Sequence, residues 1–107
     1  MGGMSKVKGQ EMLIDELHQK KEAIIALAGQ YGARRIRVFG SVARGEERPD
    51  SDVDFLVEFP RGYDLFTQRL PLTRGLADLL HHKVDLIPEH ELSQHIRERV
   101  MKEAVDL

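Results

Sequence analysis

Arg35-Ile-Arg-Val-Phe-Gly-Ser-Val-Ala-Arg-Gly-Glu-Glu-Arg-Pro-Asp-Ser-Asp-Val-Asp-Phe-Leu-Val-Glu-Phe59 is the stretch from which the rest of the chain is read. Its first five residues alternate, with Ile36 and Val38 on one face and Arg35 and Arg37 on the other, the period of a half-buried strand. Gly40 to Gly45 make a glycine-bounded turn, and a polar run through Asp50 follows. Asp52 to Phe59 reads as a second strand, closed by Pro60, Arg61 and Gly62.

On the N-terminal side, Leu13, Leu17, Ile24 and Ala28 share one face of a helix predicted from about Glu11 to Ala28, with Gly29 and Gly32 ending it. On the C-terminal side a helix covers much of Asp64 to Leu80, with Pro71 either kinking it or opening its main part. Lys83 to Ile87 reads as a third strand, stopped by Pro88. A last helix runs from about Glu91 to Ala104, with Leu92, Ile96, Val100 and Ala104 at four-residue spacing. The order predicts a mixed α/β domain, a small mixed sheet of about three strands flanked by helices.

Length and composition bound what such a unit does. With 107 residues, 41% hydrophobic and 32% charged, the chain reads as one soluble folded domain. It is too small to add a dedicated substrate domain to a catalytic one. Residues 1–10 are expected to be a flexible segment and 11–107 the domain. The polar start lacks an apolar signal core and no run is long enough to span a bilayer, so the expectation is a cytoplasmic protein without a membrane partner. There is no cysteine, which excludes disulfides and thiolate metal sites. Any metal would be held by carboxylates or histidines, and carboxylates favour Mg²⁺ or Mn²⁺. Sixteen basic against 18 acidic residues leave a net charge of −2, which weighs against a grip on long nucleic acid.

Three pieces carry chemistry. Gly40-Ser41 follows one strand, Asp52 and Asp54 begin the next, and Asp85 sits between Val84 and Leu86 in a third. Side chains two apart on a strand share a face at about 6.5–7 Å, and a neighbouring strand lies roughly 4.8 Å away. Asp85 therefore joins the pair if its strand is adjacent. Three clustered carboxylates repel one another, and divalent cations resolve that conflict. Two ions about 3.5–4 Å apart are suited to in-line displacement of pyrophosphate by a hydroxyl. Gly40 lets a phosphate approach the backbone, Ser41 offers a hydroxyl and Arg44 a charged donor. Ser51 either contacts a phosphate or caps the local turn.

Taken together, Gly40-Ser-Val-Ala-Arg-Gly45, Ser51-Asp-Val-Asp54 and Asp85 resemble the signature of the DNA polymerase beta-like nucleotidyltransferase superfamily. The length, the Ala43-Arg44-Gly45 run and Val84-Asp85-Leu86 are similar to its minimal nucleotidyltransferase branch. The resemblance implies a nucleotidyltransferase-like fold, with Asp52, Asp54 and Asp85 as catalytic residues that hold two Mg²⁺ ions, Mn²⁺ being an alternative. Gly40 and Ser41 would hold the triphosphate of ATP or another nucleoside triphosphate, and Asp85 would also accept the hydroxyl proton. It further implies a HEPN-domain protein as partner, the branch acting as antitoxins that attach AMP to a tyrosine of that partner. Two other readings stand beside it. One is transfer to a small hydroxyl compound such as an aminoglycoside, with a partner subunit supplying the acceptor site. The other is an antitoxin that neutralises by binding alone.

Other features carry no chemistry in this reading. His81 and His82 fall at a helix C-terminus, and His18, His90 and His95 are scattered. Arg34, Arg35 and Arg37 are expected to form a solvated strand face, and Lys20, Lys21 and Glu22 an exposed helix surface. Tyr63 and Phe66 are expected in the core. The stripe Leu92, Ile96 and Val100 serves either the core or a subunit interface, which leaves an oligomer open.

Overall fold

Leu13, Leu17, Ile24 and Ala28 all reach the core in the computed structural model, which describes residues 12–107, but they do so on two helices rather than one. α1 (Leu13–Gln19) stops at Lys20, whose backbone (φ −100°, ψ 15°) leaves the helical range, and α2 (Lys21–Gln30) restarts beyond it. The Lys20 N–H donates to the carbonyls of both Glu16 and Leu17, and its ammonium reaches the Leu79 carbonyl at 3.2 Å. Leu17 and Ile24 are seven residues apart, two helical turns, so the break leaves the apolar period intact and hidden. The expected flexible segment 1–10 lies outside the described residues.

β1 (Ile36–Phe39) runs directly into α3 (Gly40–Arg44), so the expected glycine turn is a single short helix, closed by Gly45 in the left-handed conformation at φ 72°. β2 (Val53–Val57) pairs antiparallel with β1, with Ile36 opposite Val57 and Val38 opposite Phe55. A π-helical turn over Leu65–Arg69 follows, capped by Asp64, whose Oδ1 accepts from the N–H groups of Phe66 and Thr67. It feeds α4 (Leu70–Leu80), where Pro71 lies in the first turn, the place where its missing N–H costs nothing. His81 then ends α4 at φ 58°.

α4 is the crossover that a parallel strand pair requires. It delivers β3 (Val84–Pro88) alongside β2 in parallel, with Asp85 opposite Asp54. A 3₁₀ turn over Glu89–Glu91 leads to α5 (Gln94–Glu103), and β4 (Val105–Asp106) pairs antiparallel with β1. Among the described residues the sheet thus has four strands in the order β3-β2-β1-β4, against about three expected. Two residues are too few to show an alternation, so β4 leaves no mark in the sequence.

The sheet has two unlike faces. Ile36 and Val38 of β1, with Val53, Phe55 and Val57 of β2, join Leu17, Ile24, Leu72, Leu76 and Leu80 in the core. The other face carries Arg37 and Phe39 on β1, Asp54 and Leu56 on β2, and Asp85 on β3. α5 lies over part of it, since Arg37 Nη2 contacts Met101 Sδ at 3.7 Å. Arg37 was expected in solvent with Arg34 and Arg35; it is 6% exposed instead. The strand is flanked on both sides and covered above, and the charge is met by Glu89 at 2.8 Å. Arg34 and Arg35 do face solvent.

The two aromatic expectations divide. Tyr63 packs against the core and stacks on Phe59 at 4.9 Å between centroids. Phe66 is 75% exposed, because the π-helical turn carries it off the face that α4 buries. The stripe on the last helix also splits, with Val100 buried and Ile96 exposed. Among the described residues no helix is long and apolar enough to cross a membrane.

Candidate active site

Asp54 is the centre of the site because three chain segments converge on it. Across β1 it faces Phe39, and Gly40 is the next residue. Across β3 it faces Asp85. Asp52 lies two residues earlier, at the mouth of β2. A parallel pair in register presents its side chains to the same side, so the carboxylates of Asp54 and Asp85 share one face of the sheet.

Gly40 is required twice over. Its φ of 76° is a conformation that side chains rarely adopt, and a Cβ there would overlap Asp54 Oδ2 and lie 3.1 Å from Asp54 Cγ. The absence of a side chain is what lets the backbone at the start of α3 close onto the carboxylate.

The carboxylates are in conflict. The Asp54 carboxyl is raised from 3.8 to about 6, first by burial and then by the negative charges of Asp85 and Asp52, with Glu103 adding to them and Arg44 opposing. The donor set is all oxygen and over-charged, which fits a hard divalent cation. Among the described residues no three such side chains stand close enough to hold an ion as a group. Mg²⁺ is usually held by one or two carboxylates together with substrate phosphates rather than by a protein cage, and an in-register pair with a third acid beside it suits that arrangement.

Arg44 and Ser51 are placed differently from each other. Arg44 donates from Nε to Glu46 Oε1 (3.0 Å) and from Nη1 to both oxygens of Glu103 (3.0 and 3.2 Å). Of the two roles open to Ser51, the turn is the one seen: its Oγ accepts from the Arg48 N–H at 2.8 Å, and its own N–H donates to the Arg48 carbonyl. Ser41 occupies the second position of α3, beside Gly40.

Glu103 was not foreseen. Its Oε2 accepts from the Gly40 N–H at 2.7 Å, across 63 residues of chain. Nothing local distinguishes it from the other acids of an exposed helix; the pairing of β4 with β1 and the packing of α5 on α3 bring it to the site. The whole is an open ledge, with Asp52, Asp85 and Arg44 exposed. The surface recess lined by Ile25, Ala28, Ile36 and Leu107 contains none of these residues.

Residues 15–107 match the model of the nucleotidyltransferase domain family. Protein adenylyltransferase MntA of Thermococcus cleftensis is 40% identical over 79 residues, covering 74% of this chain and 79% of the relative. A solved chain described as an inferred minimal nucleotidyltransferase is 44% identical with a TM-score of 0.77, covering 87% of this chain and 94% of that one. A toxin–antitoxin crystal structure with AMP-PNP contains a chain that is 27% identical with a TM-score of 0.67, covering 78% of this chain and 68% of that one. The chain belongs to the nucleotidyltransferase domain family, in its minimal, MntA-like branch. It is a transferase by that membership, and the glycine–serine turn and paired carboxylates lie inside the matched region.

Proposed function

We propose that this chain transfers AMP from ATP to a hydroxyl of a partner protein, a HEPN-domain toxin, and so acts as its antitoxin. The observation that carries the reading is the register of Asp54 opposite Asp85 with Gly40 closed onto Asp54. It sets two acids in register beside a backbone turn that carries no side chain of its own. The naming of the Thermococcus relative as a protein adenylyltransferase and the AMP-PNP in the toxin–antitoxin structure support ATP as donor. The HEPN identity of the partner rests on the resemblance of the motifs.

In this reading Asp52, Asp54 and Asp85 would hold two Mg²⁺ ions, whose chemistry there would be to neutralise the carboxylates and to supply Lewis-acid stabilisation for a pyrophosphate leaving group. The Gly40 turn and Ser41 hold the triphosphate, and Arg44 supplies a fixed positive charge beside them. The acceptor hydroxyl oxygen attacks the α-phosphorus, the bond to the bridging oxygen breaks, and pyrophosphate leaves. The hydroxyl proton passes to the Asp85 carboxylate. An exposed ledge favours a macromolecular acceptor, because a partner protein brings its own wall to exclude water, whereas a small acceptor needs a pocket.

The test is incubation with radiolabelled ATP and Mg²⁺, with and without the product of the neighbouring gene, for wild type and Asp52→Ala/Asp54→Ala. Label on the partner only with intact carboxylates supports the proposal. Tight binding with no transfer from any of the four nucleotides sinks it and leaves an antitoxin that acts by binding. Transfer to an aminoglycoside but not to the partner points to the small-molecule reading.

A further inference from the structure

Glu103 belongs to none of the sequence motifs, yet it touches two of their residues. β4 pairs with β1 in a register that sets Val105 opposite Val38. The residues just before β4 therefore run beside Phe39 and Gly40, and the last residue of α5 arrives at the start of α3. There the Glu103 carboxylate, 18% exposed, accepts from the Gly40 N–H and from Arg44 Nη1. Glu46 holds Arg44 Nε. With Nε and Nη1 engaged, Nη2 of Arg44 is uncommitted among the described residues.

A carboxylate in this place is costly. It adds negative charge beside Asp52, Asp54 and Asp85, and its field acts on Asp54 in the same direction as theirs. An Arg–Glu pair this exposed on the arginine side adds little to stability, so what folding gains from Glu103 comes from the Gly40 N–H that it satisfies at the start of α3. What the pair does provide is order. A free arginine samples many rotamers, and fixing it before a ligand arrives removes that cost from binding. Anchoring the same carboxylate on the Gly40 N–H ties the guanidinium to the turn that approaches Asp54.

The geometry points to Glu103 as a positioning residue for the nucleotide: anchored on Gly40, it holds the Arg44 guanidinium ready for a triphosphate. The inference rests on the nucleotidyl-transfer reading of the site and adds to it an acid from the far end of the chain. The opposite role, a carboxylate that competes with phosphate for Arg44, predicts the opposite sign, so the direction of the effect decides.

Calorimetric binding of ATP with Mg²⁺ to wild type, Glu103→Gln, Glu103→Ala, Arg44→Ala and the Arg44→Ala/Glu103→Ala pair tests it. Glu103→Ala should weaken binding about tenfold, and Glu103→Gln less, since it keeps an acceptor for the Gly40 N–H. In the Arg44→Ala background the same change should add less than about twofold, because nothing remains to be held. Thermal unfolding of each variant, with Glu103→Gln as the milder change, separates a lost clamp from a lost fold. Equal weakening in both backgrounds overturns the inference, and so does tighter ATP binding on loss of the Glu103 charge, which would mark a competitor. A wild type that binds none of the four nucleoside triphosphates fails at the earlier step and sinks the nucleotide reading itself.

Discussion

Arg37 and Asp54 lie on the same face of the sheet, on neighbouring strands, and their charges are handled in opposite ways. Arg37 is 6% exposed and meets Glu89 at 2.8 Å, with Arg97 also reaching Glu89 at 3.5 Å. Asp54 is two residues along β2 from Leu56, the cross-strand partner of Arg37. It is half-buried among Asp85, Asp52 and Glu103, and its carboxyl rises to about 6. One charge is neutralised within the chain. The other is left short of a counter-ion. A buried charge that belongs to the fold brings its partner with it, while a carboxyl crowded by like charges is driven toward its protonated form.

Breaking the matched half should have the largest effect on the fold. Arg37→Ala leaves Glu89 with Arg97 at 3.5 Å as its remaining partner and empties the space under α5, and a loss of about 2 kcal/mol is expected in urea unfolding. Replacing Arg37 and Glu89 together by apolar residues of similar size should recover most of it. Equal instability of the single and double variants would show that lost packing, not lost charge, is the cause.

Breaking the unmatched half should do the reverse, costing activity and improving stability. Asp54→Asn is expected to lower nucleotidyl transfer by about 10²–10³-fold, the scale of losing one preorganised electrostatic group. The sign of the stability change follows from protonation. The folded carboxyl titrates at about 6 against an ordinary 3.8, so the folded state binds more protons between those values. Wild type therefore loses stability as pH rises from 3.8 to about 6, and loses no more above it. Discounted for the partial exposure of Asp54, the amount is about 1 kcal/mol. Asp54→Asn should flatten this slope, and identical pH profiles in the two proteins would dissolve the contrast with Arg37. Addition of Mg²⁺ at pH 8 should raise the melting temperature of wild type and leave Asp54→Asn unchanged.

Gly40→Ala sharpens the same point from the backbone side. A side chain at φ 76° that overlaps Asp54 should cost about 1–2 kcal/mol in chemical unfolding. Transfer should fall by more than this instability explains, since Asp54 has to move. An alanine variant with full activity would show that the close approach is incidental. The smallest effect is expected at Arg35→Ala. Its pair with Asp106 is short, at 2.7 Å, but exposed on both sides, and no measurable change in melting temperature should follow.

Much of the site was legible because its signals are local. Asp52 and Asp54 are two apart in sequence, and although β2 begins only at Val53, one residue later than the strand expected from Asp52, the two stay close enough for the Asp52 charge to act on Asp54. Gly40-Ser41 follows a strand, and glycine there announces either a positive φ or a close approach; both are present. Asp85 stood out as an acid between Val84 and Leu86, but its place opposite Asp54 is a matter of pairing that no local pattern contains. Phe66 was misjudged because its burial depends on where a π-helical turn ends and α4 begins. Arg37 was misjudged because alternation tells which side a residue faces and not what covers that side.

By itself, the order of residues determined the strands β1, β2 and β3, the helical character of the segments before β1, between β2 and β3 and after β3, and which acids stand at or beside the strands. These follow from periods of two and 3.6 and from the chemistry of single side chains, which neighbours in sequence suffice to express. Tertiary structure alone decided that β3 lies parallel to β2, that a two-residue β4 closes onto β1, and that Arg37 is buried beneath α5 with Glu89 against it. It also brought Glu103 to Gly40 and Arg44. Each of these joins groups far apart in the chain, and contacts of that kind are settled by how whole faces pack together and not by any stretch read alone.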